Sequence, residues 1–326
     1  MYRSMNKIPS IHFFLPGGGV KGCFQAGFLY RLFTKYRSEF TTHRIDGCSV
    51  GSLNGLAIAT GNIENLKKTW TDIKSINDIF SSWSTVPIVS KVVTLYNTYH
   101  YKGVYSNSKL KEIIMNNKIQ EGSEISKFNC VVTNVRTGVY QYINGSNPDI
   151  RKYVIASASP WILCPPEEIN SNLYTDGGLL QVYPIENLEE SNADLKVIVG
   201  FDESHLLKHG LEGNNIFTYL ARIIDICRNN SINIWRIKNL INEEKLIHIL
   251  NPVQVDFIDF DPEIIQTGFK YGEKAADQFF LQHLSVKMEE NELSQNTNKD
   301  GGKMRKSRSA PNIQTLAPSS KIEPEK

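Results

Sequence analysis

"FFLPGGGVKGCFQAG", residues 13–27, is an apolar run that breaks into glycines and then resumes with apolar residues at helical spacing. Gly17, Gly18 and Gly19 remove every Cβ from this stretch, so something must come close to the main chain. Ile11 to Leu15 reads as a buried strand stopped by Pro16-Gly17. Phe24, Phe28, Leu29, Leu32 and Phe33 then mark one face of a helix over Val20 to Phe33. Residues 17–22, Gly-Gly-Gly-Val-Lys-Gly, fit G-x-G-x-x-G between a strand and a helix, which is the setting of a dinucleotide-binding turn. The Walker pattern fails, because Lys21 comes too early and no Gly-Lys-Ser/Thr follows. Three readings stand: a cradle for nucleotide phosphates, a hole for the oxygen of a reacting ester, or a tight turn with no ligand.

The next strand shifts the balance. Arg44 to Cys48 ends in "DGCSVGSLNG", residues 46–55, which holds Gly47-Cys48-Ser49-Val50-Gly51, a G-x-S-x-G pattern. A strand that turns so sharply into a helix needs small residues beside the serine, and the turn lifts Oγ into the open at the end of the sheet. The start of the following helix, Leu53 to Ala59, favours negative charge there. A dinucleotide domain would end this strand in an acid for the ribose, and Asp46 lies near that position, but the strand runs on into the serine turn. With two glycine turns on successive strands, the first loop reads as an oxyanion hole, its peptide N–H groups around Gly18 and Gly19 aimed at a tetrahedral intermediate. Lys21 either shapes that loop and adds positive potential or is a solvated lysine at a helix start.

A serine nucleophile needs a base. One candidate is Asp176 in Tyr174-Thr175-Asp176-Gly177-Gly178, where an acid and two glycines follow a short strand; an Asx-turn explains the same residues. The other arrangement is a Ser-Asp-His esterase. Of the seven histidines only His205, His209, His248 and His283 follow Asp176, and none lies in a glycine-rich loop.

The bulk properties agree with an ordinary globular protein. The chain has 326 residues, is 40% hydrophobic and carries a net charge of +2, so composition offers no case for nucleic acid as a partner. Cys23, Cys48, Cys130, Cys164 and Cys227 are scattered, which suits reduced thiols in a cytosol-like compartment and neither a disulfide framework nor a zinc site. No apolar leader opens the sequence and no run approaches the ~18 apolar residues of a membrane span, so membrane contact is expected to be peripheral; export without such a leader stays open.

Strands alternate with helices, so a mainly parallel central sheet sandwiched by helices is expected. Further strands are expected over Phe128 to Val135, Gly138 to Ile143, Leu173 to Thr175, Lys196 to Phe201 and Lys245 to Leu250. Asn62 and Asn107 or Ser108 stand where helix caps belong, and further helices are expected over Asp149 to Ala158, Ile216 to Arg228 and Pro262 to Leu284. The aromatic stretch 79–105 is a candidate cap or membrane-facing patch as well as ordinary core. The folded domain is expected over residues 1–285 and a disordered polar tail over 286–326, whose basic "KMRKSRSAP" (303–311) reads as a solvated end or an electrostatic tether.

Taken in order, Gly17-Gly18-Gly19-Val20-Lys21-Gly22, Gly47-Cys48-Ser49-Val50-Gly51, Ala156-Ser157-Ala158-Ser159-Pro160 and Asp176-Gly177-Gly178 resemble the four blocks of patatin-like phospholipases. The resemblance spans roughly residues 10–280 and implies a three-layer α/β fold. It implies a Ser-Asp dyad without histidine, with Ser49 as nucleophile and Asp176 as base, and no cofactor or metal for the chemistry. It makes Gly17, Gly18 and Gly19 the oxyanion hole, with Lys21, Gly22, Gly47, Gly51, Gly177 and Gly178 in support and Pro160 ending a helix that shapes the site. The implied substrate is a phospholipid or other acyl lipid at a membrane surface. For a carboxylate to serve as base, burial and exclusion of water must strengthen it.

Overall fold

The computed structural model describes residues 8–83, 90–91, 93–94, 96–97, 103–161, 163–201, 234–243, 246–252 and 259–285. Among these residues the strands are β1 (Ser10–Leu15), β2 (Thr41–Cys48), β3 (Phe128–Asn134), β4 (Val139–Asn144), β5 (Glu167–Ile169), β6 (Asn172–Asp176), β7 (Leu195–Phe201) and β8 (Ile247–Asn251). The helices are α1 (Gly22–Lys35), α2 (Val50–Ala59), α3 (Ile63–Asp72), α4 (Ser108–Asn116), α5 (Ile150–Ser157), α6 (Ile234–Asn242) and α7 (Pro262–Phe279), the last continuing through a π-type turn at Phe280–Leu284. The strands form one mixed sheet in the order β5-β6-β3-β2-β1-β7-β8, with β4 also paired to β3. Its centre is parallel, and the pairs β3-β4, β3-β6 and β5-β6 are antiparallel. None of the described helices is long and apolar enough to cross a membrane.

The alternation of side chains along β1 builds the layers. Ile11, Phe13 and Leu15 enter one core with Val197 and Val199 of β7 and the apolar faces of α1, α2, α3, α5 and α7. Phe14 and Ile198 point the other way, into a second core with Val182, Tyr183, Ile185, Leu188 and, from α6, Ile237 and Leu240. A central strand apolar on both faces is what a covered parallel sheet requires. Over the first face, α1 and α7 approach closely through glycines. A Cβ on Gly27 would sit 2.0 Å from the Phe269 carbonyl oxygen, and one on Gly272 would sit 2.0 Å from that of Phe24. Arg31, Lys35 and the Tyr36 hydroxyl all bond Asp277 across the same pair, and these hydrogen bonds, Arg31 foremost, hold that carboxyl well below the usual carboxylate range.

The pairing of β3 positions the site. One edge of β3 is filled by β4, from Asn129 to Asn134. Its other edge is shared. β2 runs parallel to it and pairs Cys48 with Val131, whereas β6 runs antiparallel to it and pairs Asp176 with Val132. The C-terminal ends of β2 and β6 therefore meet head-on at adjacent residues of β3.

The expected strands and the 128–143 hairpin are present, with β2 beginning three residues before the expected Arg44 and α2 three before the expected Leu53. β5 was not expected. The helix expected over Ile216 to Arg228 and the tail over 286–326 lie outside the described residues.

Candidate active site

Ser49 occupies the bend between β2 and α2 with φ 52° and ψ −127°. A non-glycine residue held there costs about 1–3 kcal/mol, so its neighbours must enforce it. The bend is tight because the residues two positions to either side lack a Cβ: one on Gly51 would lie 2.0 Å from the Leu15 carbonyl oxygen, and one on Gly47 2.6 Å from that of Gly51. The α2 helix starts at once at Val50, so Ser49 stands at the positive end of a helix. Ser49 Oγ donates directly to Asp176 Oδ2 at 2.6 Å; His205 and His209, weighed for a triad, lie outside the described residues. Asp176 Oδ1 accepts from the Gly178 N–H at 2.7 Å, and the residue is only 7% exposed. The Asx-turn and the serine partnership thus coexist on one carboxylate, one oxygen for each.

The glycine loop passes directly over this pair. A Cβ on Gly17 would lie 2.8 Å from the Ser49 Cβ. The Gly17 N–H donates to the Val182 carbonyl at 3.1 Å, which corrects its expected place among the oxyanion donors. Gly19 has φ 58° and faces the cavity beside Ser49. Gly22 lies against Val50, and a Cβ there would sit 2.3 Å from its Cγ2. Lys21 is buried, so it is not the solvated lysine that one reading allowed.

The C-terminal end of α5 and the residues after it touch both members of the pair. The Ser49 N–H donates to Ser157 Oγ at 2.9 Å, and Ser157 Oγ donates to the Val131 carbonyl at 2.6 Å. The Ser159 carbonyl accepts from the Asp176 N–H at 3.2 Å and from Thr175 Oγ1 at 2.9 Å. Asn107, at the head of α4, spends its side chain on Ser159 Oγ and Glu167 in place of a cap. Pro160 stands two residues past the α5 C-cap, Ala158. That helix stops at Ser157, and Pro160 accepts the N–H groups of Leu163 and Cys164 to begin the next turn. None of Ser157, Ser159, Thr175 and Asn107 was singled out as a site residue from the sequence. The signal for the first two was present, since both lie in the Ala156 to Pro160 block.

A cavity of about 120 Å³ opens at Ser49 and Gly19 and runs between α2, α3 and α4. Its walls include Leu53, Leu56, Trp70, Ile76, Phe80 and Ile114, an apolar lining. The Trp70 indole and the Asn54 amide are satisfied internally: Trp70 Nε1 donates to Asn54 Oδ1 at 2.9 Å, and Asn54 Nδ2 donates to Gln25 Oε1 at 2.9 Å. Phe80 and Tyr105 line this cavity, so both ends of the aromatic stretch 79–105 reach it; most of what lies between falls outside the described residues.

The family model for patatin-like phospholipases matches residues 13–188, a span that holds the serine bend, the glycine loop, the α5 block and Asp176. This chain belongs to the patatin-like phospholipase family. No curated protein matches it. Among solved structures it is similar to VipD from Legionella pneumophila, with a TM-score of 0.43 and 13% identity over 84% of this chain and 67% of that one, a likeness too loose to argue from.

This patatin-like phospholipase has a second buried aspartate. Asp46, three residues before Ser49, has no exposure at all. It accepts from Arg44 Nε at 2.9 Å, Asn129 Nδ2 at 2.7 Å and Asn187 Nδ2 at 3.3 Å, and it meets His12 Nε2 at 3.2 Å. Burial pushes its carboxyl up, but the His12 and Asn129 hydrogen bonds and the Arg44 guanidinium outweigh that and bring it below the ordinary carboxylate range. Burial lowers His12 against the pull of Asp46, so the imidazole is neutral near pH 7. With Asp46 ionised, His12 Nε2 carries the proton and Nδ1 accepts from Ser191 Oγ, 2.9 Å away. Asp46 is enclosed by these partners, which removes it from the ribose-binding place considered for it. Among the described residues no cluster of three or more His, Cys, Asp and Glu side chains is set to hold a metal.

Proposed function

We propose that this patatin-like phospholipase cleaves acyl esters of phospholipids or related lipids through an acyl-Ser49 intermediate, with Asp176 as the base. The observation that carries the reading is the 2.6 Å bond from Ser49 Oγ to Asp176 Oδ2 at the mouth of an apolar cavity. Asp176 takes the Ser49 proton as Oγ attacks the acyl carbonyl carbon. The negative charge that forms on the carbonyl oxygen meets the Gly18 and Gly19 N–H groups and the positive end of α2, each donor being worth on the order of 3 kcal/mol in the transition state. The tetrahedral intermediate collapses, the C–O bond to the glycerol side breaks, and the leaving oxygen takes the proton back from Asp176. Water then attacks the acyl carbon, Asp176 again holding its proton, and the fatty acid departs as Ser49 regains its hydrogen.

An acyl chain fits the apolar cavity by the same logic that buries any hydrocarbon. The substrate's home is a lipid surface, and Trp161, 42% exposed and next to the cavity-lining Pro160, suits a peripheral contact with it. Phosphonate labelling of the wild type beside Ser49→Ala and Asp176→Ala tests the chemistry. Rapid labelling of the wild type alone is the expected result. An esterase activity in Ser49→Ala equal to that of the wild type sinks the proposal.

A further inference from the structure

We infer that Ser157-Ala158-Ser159, where α5 ends, is a brace that sets the distance between the nucleophile and its base, with Ser157 as a positioning residue for Ser49. The inference rests on the hydrolase reading above. Three observations carry it. First, Ser157 Oγ is the acceptor of the Ser49 N–H, and its own hydrogen is fixed on the Val131 carbonyl. That double engagement pins the amide of the one site residue with a strained backbone, Ser49 at φ 52°. It also turns the Ser49 N–H away from the reacting oxygen, so Ser157 acts on the backbone and not on the substrate.

Second, two residues along, the Ser159 carbonyl holds the Asp176 N–H and the Thr175 hydroxyl. The base is thus fixed by the same segment that fixes the nucleophile. Both anchors are fully buried, so water does not compete for these bonds. Third, the segment presents alternate residues to different surroundings. Ser157 by its hydroxyl and Ser159 by its carbonyl meet the dyad's backbone, whereas Ala158 and Pro160 line the cavity beside Ser49. One segment therefore touches nucleophile, base and the place of the acyl chain. A hydroxyl donor and acceptor at residue 157 is needed for this; alanine there leaves the Ser49 N–H and the Val131 carbonyl without that partner.

The brace is tested on the full chain with a soluble short-chain ester, by phosphonate labelling and by thermal melting. Ser157→Ala is expected to lower kcat by about 10- to 100-fold, as small displacements of reacting groups do, while KM stays within about twofold. The labelling rate should fall in proportion, and circular dichroism at the assay temperature should remain that of the wild type. A kcat within about twofold of the wild type overturns the brace. So does a rise in KM with kcat unchanged. Where the alanine variant does not fold, Thr175→Val puts the same question from the Asp176 side. A lower kcat at unchanged KM supports the brace, and an unchanged kcat overturns it. A wild type that is never labelled overturns the hydrolase reading and the brace together, whereas normal labelling of both wild type and Ser157→Ala removes the brace alone.

Discussion

Asp46, in the strand that leads into the serine bend, and Asp176, bonded to the serine itself, are two buried aspartates with different surroundings. Asp46 has a guanidinium, two amide groups and an imidazole around it, and nothing of it reaches solvent. Asp176 keeps one oxygen on the Gly178 N–H and gives the other to the hydroxyl of Ser49 beside an open cavity. A carboxylate saturated with charged and amide donors is a structural ion. A carboxylate whose second oxygen meets a hydroxyl at a cavity mouth is placed to move a proton. Burial alone therefore does not distinguish function from framework; the chemistry of the partners does.

The contrast is broken most directly at Asp176. Asp176→Asn keeps the shape and removes the carboxylate proposed as the base, so ester turnover should fall by at least about 10³-fold with melting nearly unchanged, read by steady-state kinetics and calorimetry. Asp46→Ala should show the reverse. Removing the anion from its buried partners should cost about 3 kcal/mol of stability in a denaturant titration, while the folded fraction, assayed in the cold, turns over at close to the wild-type rate. Equal loss of turnover in both variants would erase the distinction.

The pH dependence of stability sharpens it. His12 is lowered in the fold from its ordinary 6.5, so the unfolded chain takes up protons first, and stability declines as pH drops below about 6.5. Asp46 is lowered from 3.8, so its contribution is complete above that value and fades as acid titrates the folded carboxyl below it. Melting curves of the wild type and Asp46→Ala should accordingly run apart at neutral pH and converge below about pH 4. A gap that does not begin to narrow as the pH falls below about 4 would mean that the Asp46 contribution is not ionic. The smallest effect belongs to the surface. Trp161→Ser should weaken sedimentation with phospholipid vesicles by about 1 kcal/mol and leave hydrolysis of a soluble ester intact. A parallel loss of both would point to damage inside the cavity wall.

Much of this was legible before any coordinates. The β1 and β2 strands, the β3-β4 hairpin and the two glycine turns announce themselves through apolar runs and small residues, which are local signals. β5 escaped because Glu167-Glu168-Ile169 is three residues long and mostly charged. Asn62 and Asn107 do stand at helix starts, yet their side chains are used elsewhere: Asn62 donates to Thr60 Oγ1 and the Lys118 carbonyl, and Asn107 donates to Ser159 and Glu167. Position in a helix is set locally, but a side chain's partner is set by what the fold brings near it. The cavity was hidden for the same reason, since its walls come from α2, α3, α4 and the turn around Ile76, joined only in three dimensions. Ser49 and Asp176 each lie in a local glycine motif; their 127-residue separation in sequence was bridged only by the sheet.

That bridging has a consequence for how the protein tolerates change. Because β2 and β6 arrive tip to tip at Val131 and Val132, the β3 backbone is a ruler for the hydroxyl and the carboxylate. A point substitution along it leaves the graduations in place. One residue inserted between 131 and 132 would push the two strand tips a full step apart and turn everything beyond it to the opposite side of the sheet. Length, more than composition, is what this strand is obliged to preserve.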